Sequence, residues 1–314
     1  MIEVKNLTKN FGNVVAVNGI SFTVNKGEVV GLLGPNGAGK TTTMRILACY
    51  LPSTSGTASV AGFDIFNDSL EVRKRTGYLP ENAPLYLDMS TLDFLNFIAT
   101  IRGISKREIK NRIKKMVEMC GLGSVINRDI GELSKGFRQR VGLAQTLIHD
   151  PEILIVDEPT AGLDPTQIIE MRELIREIGK EKTVVLSSHI LPEVSATCNR
   201  IIIIHKGEIV GSGTPDEMAR SSKRSETIYI TIKGPLEEIQ NQLKETPEIK
   251  EFRLIAKEDG INSFEIKSDL GMDISERLFF LVVNNQWILT ELRKETVNLE
   301  DVFLMLTTKE NSSL

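Results

Sequence analysis

The chain has 314 residues, of which 41% are hydrophobic and 25% are charged. This length allows about two domains of roughly 100–200 residues each, and the composition predicts packed cores and excludes a disordered chain. The net charge of −4 and the pI of about 5.7 argue against a general nucleic-acid binder.

The cysteines and the apolar runs indicate the cellular compartment. Cys49, Cys120 and Cys198 lie in apolar or helical surroundings without C-x-x-C spacing, so we expect buried free thiols in a reducing cytoplasm. The first residues lack a signal-peptide pattern, and apolar runs such as residues 201–204 are far shorter than the roughly 20 residues that cross a bilayer. We therefore expect a soluble protein that acts at a membrane only through a partner.

The first two thirds of the chain alternate strand and helix patterns. Residues 2–24 predict short strands from the alternation in "IEVKNL" and "ISFTV", with a turn at "NKGE". Four near-continuous apolar runs are typical of strands buried on both faces: residues 28–34, 152–159, 183–189 and 201–205. A helical pattern at residues 165–179 separates two of them. This order predicts an α/β fold with a mainly parallel sheet.

A helical insert at about residues 90–148 lies between the first two buried strands. Its clearest helix begins at Ser105, with Glu108 three residues later as in a capping box, and ends before Gly121. The apolar positions of this helix have helical spacing: Ile109, Ile113, Met116, Val117 and Cys120.

The last third of the chain reads as a separate domain. Residues 216–226 are polar and aperiodic, so we predict a boundary between one domain at residues 1–220 and a second at 226–314. The second domain has the element order βαββαβ, followed by a terminal helix in "NLEDVFLMLT". This order predicts a small α+β domain of the ferredoxin-like, split-βαβ type.

A glycine-rich loop follows the first buried strand. The segment "GPNGAGKT", residues 34–41, fits the P-loop pattern G-x-x-x-x-G-K-[ST] at every required position, and a helical pattern follows it. Its glycines let backbone N–H groups surround phosphates, Lys40 is placed to neutralise the β- and γ-phosphate charge, and the Thr41 hydroxyl suits Mg²⁺. The predicted phosphate-binding residues are Gly34, Pro35, Asn36, Gly37, Ala38, Gly39, Lys40, Thr41 and Thr42.

Charged side chains follow two other buried strands. Asp157 ends the run "ILIV", where a P-loop protein needs a carboxylate for Mg²⁺, and Glu158 comes directly after it. Adjacent carboxylates at a strand end are costly unless a metal ion uses one and a water molecule uses the other. His189 ends the next buried strand, at the sheet edge where active-site groups collect. We therefore predict catalytic roles for Glu158 and His189.

The segment "LSKGFRQR", residues 133–140, raises the question of a second phosphate site. Ser134 and Gly136 open a helical pattern, and helix N-termini with free N–H groups bind anions. The alternative is a basic, solvated helix start. If this segment binds phosphate, the chain carries two phosphate sites, because the glycine-rich loop already supplies one.

The combination of "GPNGAGKTT", "LSKGFRQR", "ILIVDEPTAGLD" and "SSH", in this order, resembles the nucleotide-binding subunit of an ATP-binding-cassette (ABC) transporter over residues 1 to about 220. The resemblance implies a P-loop NTPase with a RecA-like parallel-sheet core, an antiparallel β subdomain and a helical subdomain. "GYLPENAPLYLDM" and "ELSKGFRQRVGLAQ" are similar to ABC-2-type exporters, most of all the gliding-motility-associated group, with antibiotic-exporting relatives nearby. "NLEDVFLMLT" is also similar to the C-terminal domain of that branch.

The resemblance answers the question of two phosphate sites. In this family two cassettes pair head to tail, so Ser134 and Gly136 of one chain would cap the ATP held by the P-loop of the other. Phe11 matches the aromatic residue that stacks on adenine, and Asp164 in "AGLD" matches the loop that touches the opposing subunit. The implied partners are a second cassette and a separate membrane-spanning permease, which would hold this cytoplasmic chain at the inner face of the membrane.

The resemblance also implies ATP and Mg²⁺ as ligands, with two departures from the family pattern. Glu81 replaces a Gln at the end of "GYLPE" and adds a charge there. It can still accept a hydrogen bond from water, which makes it a candidate catalytic residue. It can also ligate Mg²⁺ beside Thr41 and Asp157. Lys135 and Phe137 replace the second Gly and the Gln of the signature, which alters contacts on the ribose side.

The resulting prediction is an ATPase that hydrolyses ATP to ADP and phosphate and drives the permease. One alternative is a soluble ABC ATPase acting in translation or DNA repair, but such proteins usually carry two cassettes or a long coiled coil. A P-loop kinase or other transferase would not need "LSKGFRQR" or "AGLD". A non-catalytic binding module is opposed by the presence of Lys40, Asp157, Glu158 and His189.

Overall fold

The computed structural model of the protein describes residues 1–221, 226–258, 260–269, 272–294 and 303. These residues form two compact units: Met1–Pro215 together with Phe303, and the described residues from Asp216 to Lys294. Phe303 thus groups with the first unit and not with the second domain predicted at 226–314. Within the described ranges, no helix combines the length and the apolar character that a membrane span requires.

The elements of the first unit alternate between strands and helices. In chain order they are β1 (Ile2–Phe11), β2 (Val14–Val24), β3 (Val29–Leu33), α1 (Lys40–Leu47), β4 (Ser55–Val60), β5 (Phe63–Asp64), α2 (Ser69–Arg75), β6 (Thr76–Leu79), α3 (Thr91–Ile101), α4 (Lys106–Cys120), α5 (Lys135–Leu147), β7 (Ile153–Asp157), α6 (Pro165–Gly179), β8 (Thr183–Ser188), α7 (Leu191–Thr197), β9 (Arg200–His205) and β10 (Glu208–Gly213). A further helix, α8 (Pro215–Ser221), spans the division between the units.

The central sheet has the strand order β10-β9-β3-β8-β7-β6. All neighbouring strands are parallel except β10, which pairs antiparallel with β9. Every residue of β3, β7 and β8 is buried, as expected where helices cover both faces of a sheet. The predicted parallel sheet is confirmed, and its order brings the ends of β3, β7 and β8 together at one edge.

An antiparallel sheet of order β2-β1-β4-β5 accompanies the central sheet. β1 and β2 have 10 and 11 residues, so they are longer than the short strands predicted from "IEVKNL" and "ISFTV". Irregular pairing between Val4 and Asn10 interrupts the alternation on which that prediction depended. Apolar residues of both sheets and of α1 pack in one core, and this packing holds α1 in place at the end of the P-loop.

The predicted helical insert is confirmed as α3, α4 and α5. α4 begins after Ser105 and ends at Gly121, whose φ of +65° is a left-handed helix end. The predicted capping box differs in detail, because the Ser105 hydroxyl donates to the Glu108 carboxylate at 2.6 Å and caps no backbone N–H group. A hydroxyl is free to rotate toward the stronger, charged acceptor.

The second unit contains β11 (Glu226–Lys233), α9 (Leu236–Glu245), β12 (Ile249–Glu258), β13 (Ile261–Ser268), α10 (Ser275–Asn284) and β14 (Ile288–Lys294). Its antiparallel sheet has the order β12-β13-β11-β14, as predicted for a split-βαβ fold. Buried residues of both helices pack on one face of the sheet in a core of their own. The helix predicted in "NLEDVFLMLT" lies outside the described residues except for Phe303.

A candidate site for ATP binding and hydrolysis

The P-loop joins the end of β3 to the start of α1 and has the backbone of an anion cradle. Gly39 has a φ of +105°, and a Cβ atom there would lie 2.4 Å from the carbonyl oxygen of Ala16, so only glycine fits. A Cβ atom on Gly37 would meet nothing within 4 Å, although its φ is +81°. The loop therefore leaves open space beside its backbone N–H groups, where phosphates can approach.

Lys40 is the buried cation of this loop. Its ammonium donates to the carbonyl oxygens of Gly34 at 2.7 Å and Pro35 at 3.2 Å. It also lies 3.4 Å from the Glu158 carboxylate, and the two side chains are only 5% and 10% exposed. These bonds keep a buried charge compensated and hold it at the P-loop.

Thr41 and Asp157 come together as the sequence predicts. The Thr41 hydroxyl donates to Asp157 Oδ1 at 3.1 Å, and the same oxygen accepts from the Ser187 hydroxyl at 2.6 Å. The parallel register pairs Asp157 with Ser187, which places the two strand ends side by side. A hydroxyl and a carboxylate at this spacing are hard oxygen ligands of the kind that Mg²⁺ uses with phosphates and water.

Glu158 and His189 meet at the same sheet edge. His189 Nδ1 lies 2.9 Å from Glu158 Oε2. Glu158 has a φ of +47°, a left-handed conformation that is unfavourable for residues other than glycine, and its N–H group donates to the Ser187 hydroxyl at 3.0 Å. The backbone turn directs the Glu158 carboxylate toward Lys40 and His189.

Phe11 lies at the end of β1 and is half exposed. The ammonium of Lys9 lies 5.2 Å from the centre of its ring. The β1–β2 hairpin is adjacent to the P-loop, since Ala16 of β2 contacts Gly39. An exposed ring on this hairpin is available for stacking with a planar ligand.

The segment "LSKGFRQR", residues 133–140, forms a second cluster with the start of α6. Ser134 is the N-cap of α5 and accepts from the N–H group of Phe137 at 3.3 Å, while Asp164 is the N-cap of α6 and accepts from that of Gln167 at 2.9 Å. Gly136 faces Gln167 so closely that a Cβ atom would lie 2.6 Å from the amide carbon. In the part of the chain that the structure describes, none of these side chains bonds to the P-loop.

Glu81 follows β6 and lies apart from the other predicted metal ligands. Its backbone oxygen accepts from Gln139 Nε2 at 3.1 Å, and its carboxylate makes no hydrogen bond or ion pair within the described residues. It lines a cavity of about 250 Å³ with Asn82, Ala83, Leu85, Leu87, Lys135, Arg138 and Gln139. The structure therefore does not bring Glu81 into contact with Thr41 or Asp157.

Two further residues, Ser187 and Gln139, support the site and were not predicted from the sequence. Ser187 bridges Asp157 and the backbone of Glu158, and Gln139 holds the Glu81 segment against α5. The signal for Ser187 was a hydroxyl near the end of a buried strand, two positions before His189, where parallel pairing could align it with Asp157. Gln139 carried no such signal, because its contact depends on how α5 packs beside β6.

Comparisons with known proteins agree with this geometry. A sequence profile of the ABC transporter family matches residues 17–161. The chain is 34% identical over 304 residues to the uncharacterized ABC transporter ATP-binding protein YxlF of Bacillus subtilis, with 97% of this chain and 98% of the relative covered. It is 37% identical over 226 residues to the bacitracin transport ATP-binding protein BcrA of Bacillus licheniformis, with 71% and 73% covered.

A solved structure has the same fold. The dimeric, post-hydrolysis structure of the ATP-binding cassette MJ0796, bound to ADP and Pi, matches with a TM-score of 0.62 and 25% identity over 68% of this chain and 98% of that one. The P-loop fold inferred from the motifs is thus confirmed. The full-length similarity shows that the chain belongs to the ABC transporter ATP-binding proteins, ATPases that couple ATP hydrolysis to transport.

Proposed function

We propose that this chain is the ATP-hydrolysing subunit of an ABC-2-type exporter and drives a separate membrane-spanning permease. The observation that carries the proposal is the buried pair of Lys40 and Glu158 at the edge of the parallel sheet, with the exposed His189 bonded to Glu158. Similarity to BcrA, a bacitracin transport protein, supports an exporter. The segments "GYLPENAPLYLDM" and "ELSKGFRQRVGLAQ" support the ABC-2-type branch and, within it, the gliding-motility-associated group.

In this proposal residues 34–42 hold the phosphates of ATP, and Phe11 stacks on the adenine. Thr41 and Asp157 would hold Mg²⁺, which neutralises charge between the β- and γ-phosphates when it is bound. Lys40 would exchange its contacts with the carbonyl oxygens of Gly34 and Pro35 for contacts with phosphate oxygens. An ammonium already buried at the loop needs little rearrangement for that exchange.

Glu158 is proposed to orient and deprotonate the attacking water, and His189 to hold the Glu158 carboxylate in place. Their separation of 2.9 Å supports this pairing. Glu81 is proposed to reach the same water or the metal ion from the end of β6, which requires movement of residues 81–87, since its carboxylate is free of hydrogen bonds in the described residues.

Two copies of the chain are proposed to pair head to tail. Ser134, Gly136 and Asp164 belong to a cluster that makes no hydrogen bond to the P-loop within the described chain, so we assign them to the ATP of a second copy; the Gln167 side chain, which lies against Gly136, would have to move aside. The dimeric structure of MJ0796 supports such a pairing. ATP would close this dimer and hydrolysis would reopen it.

The permease is proposed to contact the groove beside Glu81 and the helical insert. Tyr86, Leu87 and Phe97 expose apolar surface there, and Leu87 also lines the cavity that contains Glu81. Contact with the permease would hold the chain at the cytoplasmic face of the membrane.

A mixing experiment tests the shared site, using full-length chains that all carry Glu158→Gln so that hydrolysis cannot reopen the dimer. Lys40→Ala breaks the P-loop, and Ser134→Arg blocks the cap. Neither variant alone should form an ATP-held dimer. Mixed together, they form a heterodimer in which one site has an intact Lys40 facing an intact Ser134, so ATP-dependent heterodimers should appear in gel filtration.

Each folded variant alone, and the mixture without ATP, are the controls. If each phosphate site served only its own chain, every chain in the mixture would remain defective and no rescue would occur. Failure to rescue, with both variants folded, therefore contradicts head-to-tail pairing.

A further inference from the structure

Glu193 is a buried acid that has no place in the proposed nucleotide contacts. It lies in the first turn of α7 and is 8% exposed. Its Oε2 atom accepts hydrogen bonds from the Thr160 hydroxyl at 2.6 Å and from the Ser188 hydroxyl at 3.2 Å. Buried polar groups are costly unless paired, and here both partners come from loops that carry proposed catalytic residues.

The two hydroxyls connect Glu193 to both sides of the hydrolysis site. Thr160 follows Glu158 by two residues, and Ser188 directly precedes His189. On the opposite side, His189 Nδ1 lies 2.9 Å from Glu158 Oε2. The segments 158–160 and 188–189 therefore form a closed ring, joined by the Glu158–His189 contact on one side and by the Glu193 carboxylate on the other.

The backbone conformation of Glu158 requires support from the surrounding residues, and this ring supplies part of it. A φ of +47° is unfavourable at a glutamate, and such conformations persist where the surroundings hold them from several directions. The Ser187 hydroxyl holds Glu158 at its own N–H group. The bond from Thr160 to Glu193 holds the segment that follows, so the loop is fixed on both sides of the strained residue.

We propose that Glu193 is a positioning residue for ATP hydrolysis, which fixes the Glu158 loop against the His189 loop without touching the nucleotide. The inference rests on the proposed roles of Glu158 and His189. Glu193, with Thr160 and Ser188, sets the distance between the Glu158 and His189 side chains. The alternative is a buried acid that stabilises the fold and has no specific effect on the chemical step.

The test measures steady-state ATP hydrolysis by the full-length protein. Thr160→Val removes one hydroxyl at nearly constant shape, and we expect kcat to fall about tenfold, as for loss of one buried hydrogen bond, with the KM for ATP within about twofold. Thr160→Ser keeps the hydroxyl and should restore kcat to within about threefold. Thr197→Val is the matched control, because among the described residues the Thr197 hydroxyl donates to the backbone oxygen of Glu193 within α7 and to no other group; its kcat should stay within about twofold.

A second background separates positioning from stability. Since Glu193 acts through Glu158, adding Thr160→Val to Glu158→Gln should cause no further loss in single-turnover hydrolysis. A loss of equal factor in both backgrounds would mean general destabilisation and overturn the proposal, as would wild-type kcat in Thr160→Val. Absence of ATP hydrolysis by the wild-type protein would instead refute the proposed function itself. Glu193→Leu, if folded, should match Thr160→Val or exceed its effect.

Discussion

Glu158→Gln should leave ATP binding intact and lower ATP turnover by about 10²–10⁴-fold, the usual contribution of a general base. The substitution keeps the size of the side chain. It removes the negative charge that lies 3.4 Å from Lys40 Nζ and the basic oxygen that lies 2.9 Å from His189 Nδ1. Water can then no longer be deprotonated at this position.

The predicted loss corresponds to about 3–5 kcal/mol of transition-state stabilisation, at roughly 1.4 kcal/mol per factor of ten. A second effect follows from burial, since removing one partner of a buried ion pair leaves the other charge uncompensated. The uncompensated Lys40 charge should therefore destabilise the nucleotide-free variant, and the phosphates of ATP should stabilise the variant more than the wild type. We expect a lower melting temperature without ATP and a larger increase on adding ATP than in the wild type.

Steady-state ATPase assays and equilibrium binding of ATP measure the two quantities separately. Glu152→Gln is the matched control, because Glu152 precedes the other end of β7 and its side chain is 63% exposed. Turnover of Glu158→Gln within about threefold of wild type would refute the assignment of the general base. Loss of ATP binding would refute the prediction that the variant still binds ATP.

Three further predictions concern the fold. A fragment of residues 1–222 should be soluble and bind ATP with Mg²⁺, because the described core residues of the second unit all lie between 228 and 292; aggregation would contradict the predicted boundary. Gly31→Ala should lower the free energy of unfolding by about 1–3 kcal/mol, since the new Cβ atom would lie 2.1 Å from Val194 Cγ1. Gly123→Ala, with nothing within 4 Å, should leave urea unfolding nearly unchanged. Burial and the nearby Arg102 charge lower the pKa of His149 to about 4. As the pH falls, the unfolded state therefore binds a proton on His149 before the folded state does. The free energy of unfolding thus decreases as the pH drops from about 6.5 towards 4. The loss between pH 7 and 5 should be smaller in His149→Gln by roughly 1–2 kcal/mol, after allowance for partial exposure.

The local features of the site were predictable from the sequence. The P-loop glycines are set by backbone conformations that other residues adopt poorly, and α6 spans residues 165–179 as its apolar spacing predicts, after the N-cap Asp164. Buried strands such as β7 also leave a clear signal, because both of their faces are apolar. Each of these features depends on residues that are close together in the chain.

The tertiary structure alone decided which distant groups meet. β6 and β10 are short and of mixed polarity, so only their pairing with β7 and β9 makes them strands of the central sheet. Ser187 reaches Asp157, and Glu193 reaches Thr160, across sequence separations of 30 and 33 residues. Such contacts depend on strand register and on the packing of α7, which have no local signature. The sequence by itself therefore determined the glycine-rich loop and which side chains are candidates for catalysis, while the spacing between those side chains arises from long-range pairing.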